Sequence, residues 1–96
     1  MLQFIVSAWD GTDAEALDRR MKARPSHFEM AKRLKENNNF VIGGAMLDSN
    51  GKMIGSTMIV QFESKEELES WLKSEPYITE KVWENVSIHP FRKAEV

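Results

Sequence analysis

The sequence predicts a single α+β domain in which elements follow the order β-α-β-β-α-β and two helices cover one face of a four-stranded sheet. Three observations predict it. Four short segments rich in β-branched and aromatic residues carry apolar positions two residues apart, and two other segments carry them three and four apart. Between the middle strands lies Asn50-Gly51, a pair that tolerates positive φ and marks a hairpin. The 96 residues, 42% hydrophobic and 29% charged, suffice for one core but not two, and the whole of 1–96 reads as one domain.

Leu2 to Trp9 is the first strand, with Leu2, Phe4, Val6 and Ala8 on one face and Ile5 and Trp9 on the other. Asp10-Gly11-Thr12-Asp13 is a turn, and Thr12 stands three residues before Glu15, a capping-box spacing for the start of a helix. In that helix Leu17 and Met21 lie one turn apart. It meets Pro25, which lacks an N–H and costs about 3 kcal/mol inside a helix but suits a first helical position, so a kink or restart is expected there. From Pro25 to Glu36, His27, Met30, Ala31 and Leu34 share one arc, while Glu29, Lys32, Arg33 and Glu36 point largely elsewhere.

Asn37-Asn38-Asn39 ends the helix, and Phe40 to Leu47 forms the second strand. After the turn at Asp48 to Lys52, Met53 to Phe62 alternates again and should pair antiparallel with the second strand. Ser64 and Glu67 repeat the capping-box spacing ahead of a helix whose apolar stripe is Leu68, Trp71 and Leu72. Glu75-Pro76-Tyr77 breaks it. Val82 to Phe91 is the last strand, and Arg92 to Val96 reads as a frayed tail.

This order is that of the ferredoxin-like two-layer sandwich. Its helices occupy one face of the sheet, so Ile5, Trp9 and Ile59 on the other face meet either water, as scattered surface residues, or a partner. The two large apolar side chains of the first strand favour a homodimer joined through its sheet faces.

Composition excludes several functions. The longest apolar stretches fall far short of the roughly 20 residues that cross a bilayer, and no basic leader precedes an apolar run, so a cytoplasmic protein without membrane contact is expected. The absence of cysteine removes thiolate nucleophiles and thiolate metal sites, and two histidines make a zinc centre unexpected. A net charge of −2 with basic and acidic residues interspersed provides no stripe for nucleic acid.

The sharpest chemical feature is His27, an imidazole on an apolar helix face near the expected helix start. Beside a carboxylate such a ring could serve as a general acid or base; otherwise it is a hydrogen-bonded core residue. Arg20 and Arg24 are four apart and project from one side if helical geometry persists, where they could hold a carboxylate or enolate oxygen of a small acid. Their alternative is surface pairing with Asp13, Asp18 or Glu15. Ser56 and Tyr77 are possible donors to a ligand, and nothing places a base beside Ser56 to make it a nucleophile. Gly43-Gly44 suits close backbone approach or a bulge, His89 a solvent-facing position, and Trp9, Trp71 and Trp83 core or interface mass.

Arg24-Pro25-Ser26-His27, Gly43-Gly44, Gly55-Ser56-Thr57, Phe62-Glu63-Ser64, Glu75-Pro76-Tyr77 and Val86-Ser87-Ile88-His89-Pro90-Phe91, in this order over so short a chain, resemble the YCII-related (YciI-like) family. The resemblance implies a dimeric α+β barrel of ferredoxin-like subunits with a His-Asp pair as its acid-base site. The family's histidine falls on His27, and the aspartate of its Asp-Pro-Tyr falls on Glu75. This glutamate is a departure: its extra methylene moves the oxygens by roughly 1 to 1.5 Å, and errors near 1 Å can cost on the order of 100-fold in rate. The alternative role for that carboxylate is to cap the turn opened by Pro76, where glutamate is a poor substitute. Asp10, where similar chains also carry aspartate, is a second candidate partner for His27 or an ordinary turn residue.

Two functions follow as expectations. One is an enzyme needing no cofactor, in which His27, set by Glu75 or Asp10, moves a proton on a small cyclic or aromatic acid, lactone or hydroxyquinone-like compound, as the resemblance to muconolactone-isomerase-like and dehydrochlorinase-like barrels implies. The other is a non-catalytic small-ligand-binding or accessory domain in which His27 is structural.

Overall fold

The alternation along β1 (Leu2–Asp10) decides the architecture, because it is one of the two central strands and pairs on both edges. In a computed structural model describing residues 1–96, it is followed by α1 (Ala16–Glu36), β2 (Phe40–Leu47), β3 (Met53–Phe62), α2 (Lys65–Ser74), α3 (Pro76–Thr79) and β4 (Trp83–Phe91). The sheet has the order β2-β3-β1-β4, with every neighbouring pair antiparallel. The fold is the ferredoxin-like α+β sandwich that the element order predicts.

Register places Phe4 opposite Val60, Val6 opposite Met58 and Ala8 opposite Ser56, so these side chains share the helix-covered face. Phe4, Val6, Ala8, Met58, Val60 and Phe62 meet Ala23 and Leu34 of α1, Leu68 and Trp71 of α2, and Tyr77 of α3 in one core. Trp71 stacks on Phe62 at 5.8 Å between ring centroids. On the opposite face Ile5 lies beside Ile59, and Ile59 beside Ile42; Ile59 is buried, whereas Ile42 and Trp9 remain 64% and 50% exposed.

The expected restart at Pro25 does not occur: α1 runs through it as one helix of 21 residues. The reason is tertiary. The buried positions Ala16, Arg20, Ala23, His27 and Leu34 continue one helical stripe across the proline, so a restart would turn half of that stripe away from the sheet. The stripe also corrects the expected face, because Arg20 is buried while Met21 is 45% exposed. The Thr12–Glu15 capping box does not form, since Glu15 itself occupies the N-cap position without a side-chain cap bond.

Other end signals behave as read. Asn38 adopts a left-handed φ of 62° just past α1. Ser64 accepts a hydrogen bond of 3.2 Å from the Glu67 amide at the start of α2, and Glu67 accepts one of 3.3 Å from the Glu63 amide. In the β2–β3 hairpin Gly51 supplies the positive φ, 81°, while the Asp48 carboxylate accepts from the Asn50 and Lys52 amides at 2.8 and 3.0 Å. The turn that ends α2 contains the short helix α3, with Pro76 in its first turn. No helix is long and apolar enough to cross a membrane.

Candidate active site

His27 sits in the middle of α1, not near a helix start as the expected break would have placed it, so the positive end of the helix is too far away to act on it. Its ring stacks on Tyr77, with centroids 3.9 Å apart and planes inclined by 11°, and meets the edge of Trp83 at 6.2 Å. Nδ1 makes a hydrogen bond to Glu75 Oε1. In the tautomer whose Nδ1–H donates to this carboxylate, Nε2 is left as an acceptor.

Glu75 is fully buried between α2 and α3. The same Oε1 that meets His27 also accepts the Tyr77 amide at 3.3 Å, so the residue caps α3 and orients the imidazole at once. The two roles that the sequence set against each other belong to one oxygen. Its extended backbone, φ −63° and ψ 123°, together with the longer side chain, lets the carboxylate reach both groups.

Asp10 is not the partner of His27 and does not serve the turn after β1. It ends β1 buried against Arg20, whose Nη1 donates to both carboxylate oxygens at 3.0 Å. Arg20 therefore does not take its expected surface acids; its neighbour Arg19 pairs with Asp13. Burial pushes the Asp10 carboxyl above its ordinary value, against the hydrogen bond and charge of Arg20. Arg20 Nη2 donates to Ser56 Oγ at 2.9 Å, Trp83 Nε1 donates to the same oxygen at 3.2 Å, and the guanidinium lies 4.8 Å above the Tyr77 ring.

These groups border a cavity of about 180 Å³ between α1 and the β2–β3 hairpin. Arg20, Arg24, His27, Ser56 and Tyr77 line it, whereas Asp10 and Glu75 stand outside it. Arg24 lies 4.7 Å from the Phe28 ring centroid and forms no ion pair. Phe28, Phe40, Met53 and Met58 supply apolar wall, and the backbone at Gly43-Gly44 completes it. A Cβ at Gly43 would come within 3.1 Å of Met58 Cγ, which explains close approach there. Burial raises the Tyr77 hydroxyl above its usual range, against the lowering charges of Arg20 and Arg24.

Trp83 and Phe28 were not legible as site residues. Trp83 reaches the site only because β4 begins beside the end of β1, and Phe28 carries no signal beyond being next to His27. His89 faces away on the exposed side of the sheet, opposite Ile5. A wider depression of about 680 Å³ near Met1, Leu2, Phe91 and Arg92 contains no acid-base pair. No group of three or more His, Asp or Glu side chains is arranged to hold a metal ion.

A ferredoxin-like sandwich with a buried histidine-carboxylate pair behind a small cavity defines a structural class. Within it, residues 4–92 match the YCII-related domain, and the chain belongs to that family. Protein YciI from Escherichia coli is 33% identical over 96 residues, covering 94% of this chain and 96% of that protein. A 5-chloro-2-hydroxyhydroquinone dehydrochlorinase from Burkholderia phenoliruptrix, solved with 2,5-dihydroxybenzoquinone, superposes with a TM-score of 0.83 at 20% identity, covering 96% of this chain and 95% of that one. A dimeric ferredoxin-like protein of unknown function from Jannaschia superposes at 0.59 with 10% identity, covering 97% of this chain and all of that one, 100%.

Proposed function

We propose that the protein is a small-molecule enzyme in which His27, oriented by Glu75, transfers a proton on a small cyclic or aromatic acid, lactone or hydroxyquinone-like compound. The observation that carries this reading is the Glu75–His27 hydrogen bond at the cavity wall: it commits Nδ1 to the protein and leaves Nε2 for a guest. Arg24 offers positive charge to an anionic substituent, and Ser56 and Tyr77 offer hydrogen bonds. The dehydrochlorinase and its dihydroxybenzoquinone complex suggest where to look for the substrate.

The test is turnover of 5-chloro-2-hydroxyhydroquinone and of a muconolactone by the wild type, His27→Asn and Glu75→Gln. Proton transfer through His27 predicts a loss of about 100-fold or more in kcat for His27→Asn. A smaller loss is expected for Glu75→Gln, which keeps size but exchanges the carboxylate for an amide. Equal turnover by wild type and His27→Asn overturns the reading. The competing reading, a ligand-binding domain, predicts saturable binding with no chemistry on either compound.

The row Ile5–Ile59–Ile42 also supports a homodimer joined through the bare sheet faces. Ile42→Lys should then shift the molecule toward monomer in sedimentation analysis. A wild type that sediments as monomer rejects the dimer.

A further inference from the structure

Ser56 and Tyr77 share a property that neither shows alone. A serine hydroxyl accepts through two lone pairs and donates one hydrogen. At Ser56, which is 2% exposed, both acceptor positions are filled by groups that can only donate, Arg20 Nη2 at 2.9 Å and Trp83 Nε1 at 3.2 Å. Its own O–H has no acceptor within the protein and the residue lines the cavity. Tyr77, 0% exposed on the same cavity, also has a hydroxyl with no hydrogen-bond partner. Leaving such groups buried and unpaired is unfavourable, so the site favours a guest that supplies acceptors.

We propose that the Ser56 and Tyr77 hydroxyls form an oxyanion site, both donating to one carbonyl or enolate oxygen on the ring of the substrate. The inference rests on the proton-transfer reading and narrows it to compounds whose acidic C–H adjoins a ring carbonyl. His27 Nε2 takes that proton, the C–H electron pair becomes a C=C bond, and the carbonyl π pair moves onto oxygen as the enolate charge. Where the ring also carries a C=C bond conjugated with this enolate, return of the proton from His27 to the far carbon of the resulting dienolate re-forms the carbonyl and shifts the ring C=C bond, an isomerisation with no electrons gained or lost.

Several features suit the site to this charge. Arg20 is the common support: it fixes the direction of the Ser56 hydroxyl and lies over the Tyr77 ring, while Asp10 balances its charge. Burial keeps the Tyr77 phenol protonated and hence a donor. The cavity of about 180 Å³ is near the size of an engineered cavity, about 150 Å³, that holds benzene, so one substituted six-membered ring fits.

Equilibrium binding of para-nitrophenolate, a stable ring oxyanion, against its methyl ether para-nitroanisole tests the site without requiring turnover. Wild type should prefer the phenolate, and Tyr77→Phe should lower that preference roughly 10-fold or more, the worth of a hydrogen bond to a charged oxygen, with the ether losing much less than the phenolate. Ser56→Ala should act in the same direction but also strips Arg20 and Trp83 of an acceptor; Ser56→Thr, which keeps the hydroxyl, should retain the preference. Absence of phenolate binding, no preference in the wild type, or a preference that survives in Tyr77→Phe and disappears only in Arg24→Gln overturns the proposal. His27→Asn should keep the phenolate preference, so failure of the proton-transfer reading and failure of the oxyanion site are read separately.

Discussion

Arg19 and Arg20 are adjacent on α1, and each pairs with an aspartate, but the two pairs occupy different solvents. At the surface Arg19 grips Asp13 with two parallel hydrogen bonds of 2.8 and 2.7 Å, a fork-to-fork geometry. In the interior Arg20 shares Nη1 between both oxygens of Asp10 at 3.0 Å, gives Nη2 to Ser56 and leaves Nε without a partner. The surface pair has the better geometry and the interior pair has the greater structural consequence. Desolvation makes the difference. Water can replace either partner at the surface, whereas a charge stranded beside the cavity has nothing to replace its mate.

The largest expected effect comes from stranding that charge. Arg20→Leu should destabilise the protein by about 3 to 5 kcal/mol, read as a lowered urea midpoint, because Asp10 remains buried without its cation. Adding Asp10→Leu should restore much of the loss, since the second substitution removes the unpaired charge. A single variant as stable as wild type would break the comparison.

A smaller effect, opposite in sign for the two pairs, is expected with pH. Arg19 holds the Asp13 carboxyl down at about 2, below the 3.8 of an unperturbed group. Its contribution is therefore present above 3.8 and fades as pH falls toward 2. The Asp10 carboxyl is raised above 3.8, so folding favours its protonated form, and its contribution is fully present below 3.8 and diminishes as pH rises through the raised value. Urea midpoints measured across this acid range should show a rising trend with pH that Asp13→Asn removes and a falling one that Asp10→Asn removes. Equal slopes in the two variants would refute the contrast.

The smallest effect is at the surface. Asp13→Ala at neutral pH should lower the unfolding midpoint by no more than the height of that acid-range rise, and the loss should shrink on adding salt, since exposed charges are screened within about 10 Å at 0.1 M ionic strength. A salt-resistant loss would mean that the pair also fixes the turn before α1.

The same contrast separates what was legible beforehand from what was not. Strands, the hairpin at Gly51, the Ser64 cap and the break after Ser74 follow from period and turn chemistry, which act within a few residues. Pro25 misled because its local preference was outweighed by the buried stripe on either side of it. Resemblance to a family pointed to His27 and Glu75, 48 residues apart, and the residue pattern alone left Asp10 equally eligible. Arg20 looked like a surface residue because charge normally stays in water.

The sequence by itself determined the order of elements, the inward face of β1 and the types of side chain available for chemistry. These depend on alternation, helical spacing and caps, each written over a short stretch of chain. Tertiary structure alone decided that α1 would continue through Pro25, that Arg20 would choose Asp10 and Ser56, that Trp83 would join them, and that Glu75 would serve both His27 and α3. A buried hydrogen bond goes to whichever partner packing brings within reach after water is excluded, and that contact has no period along the chain.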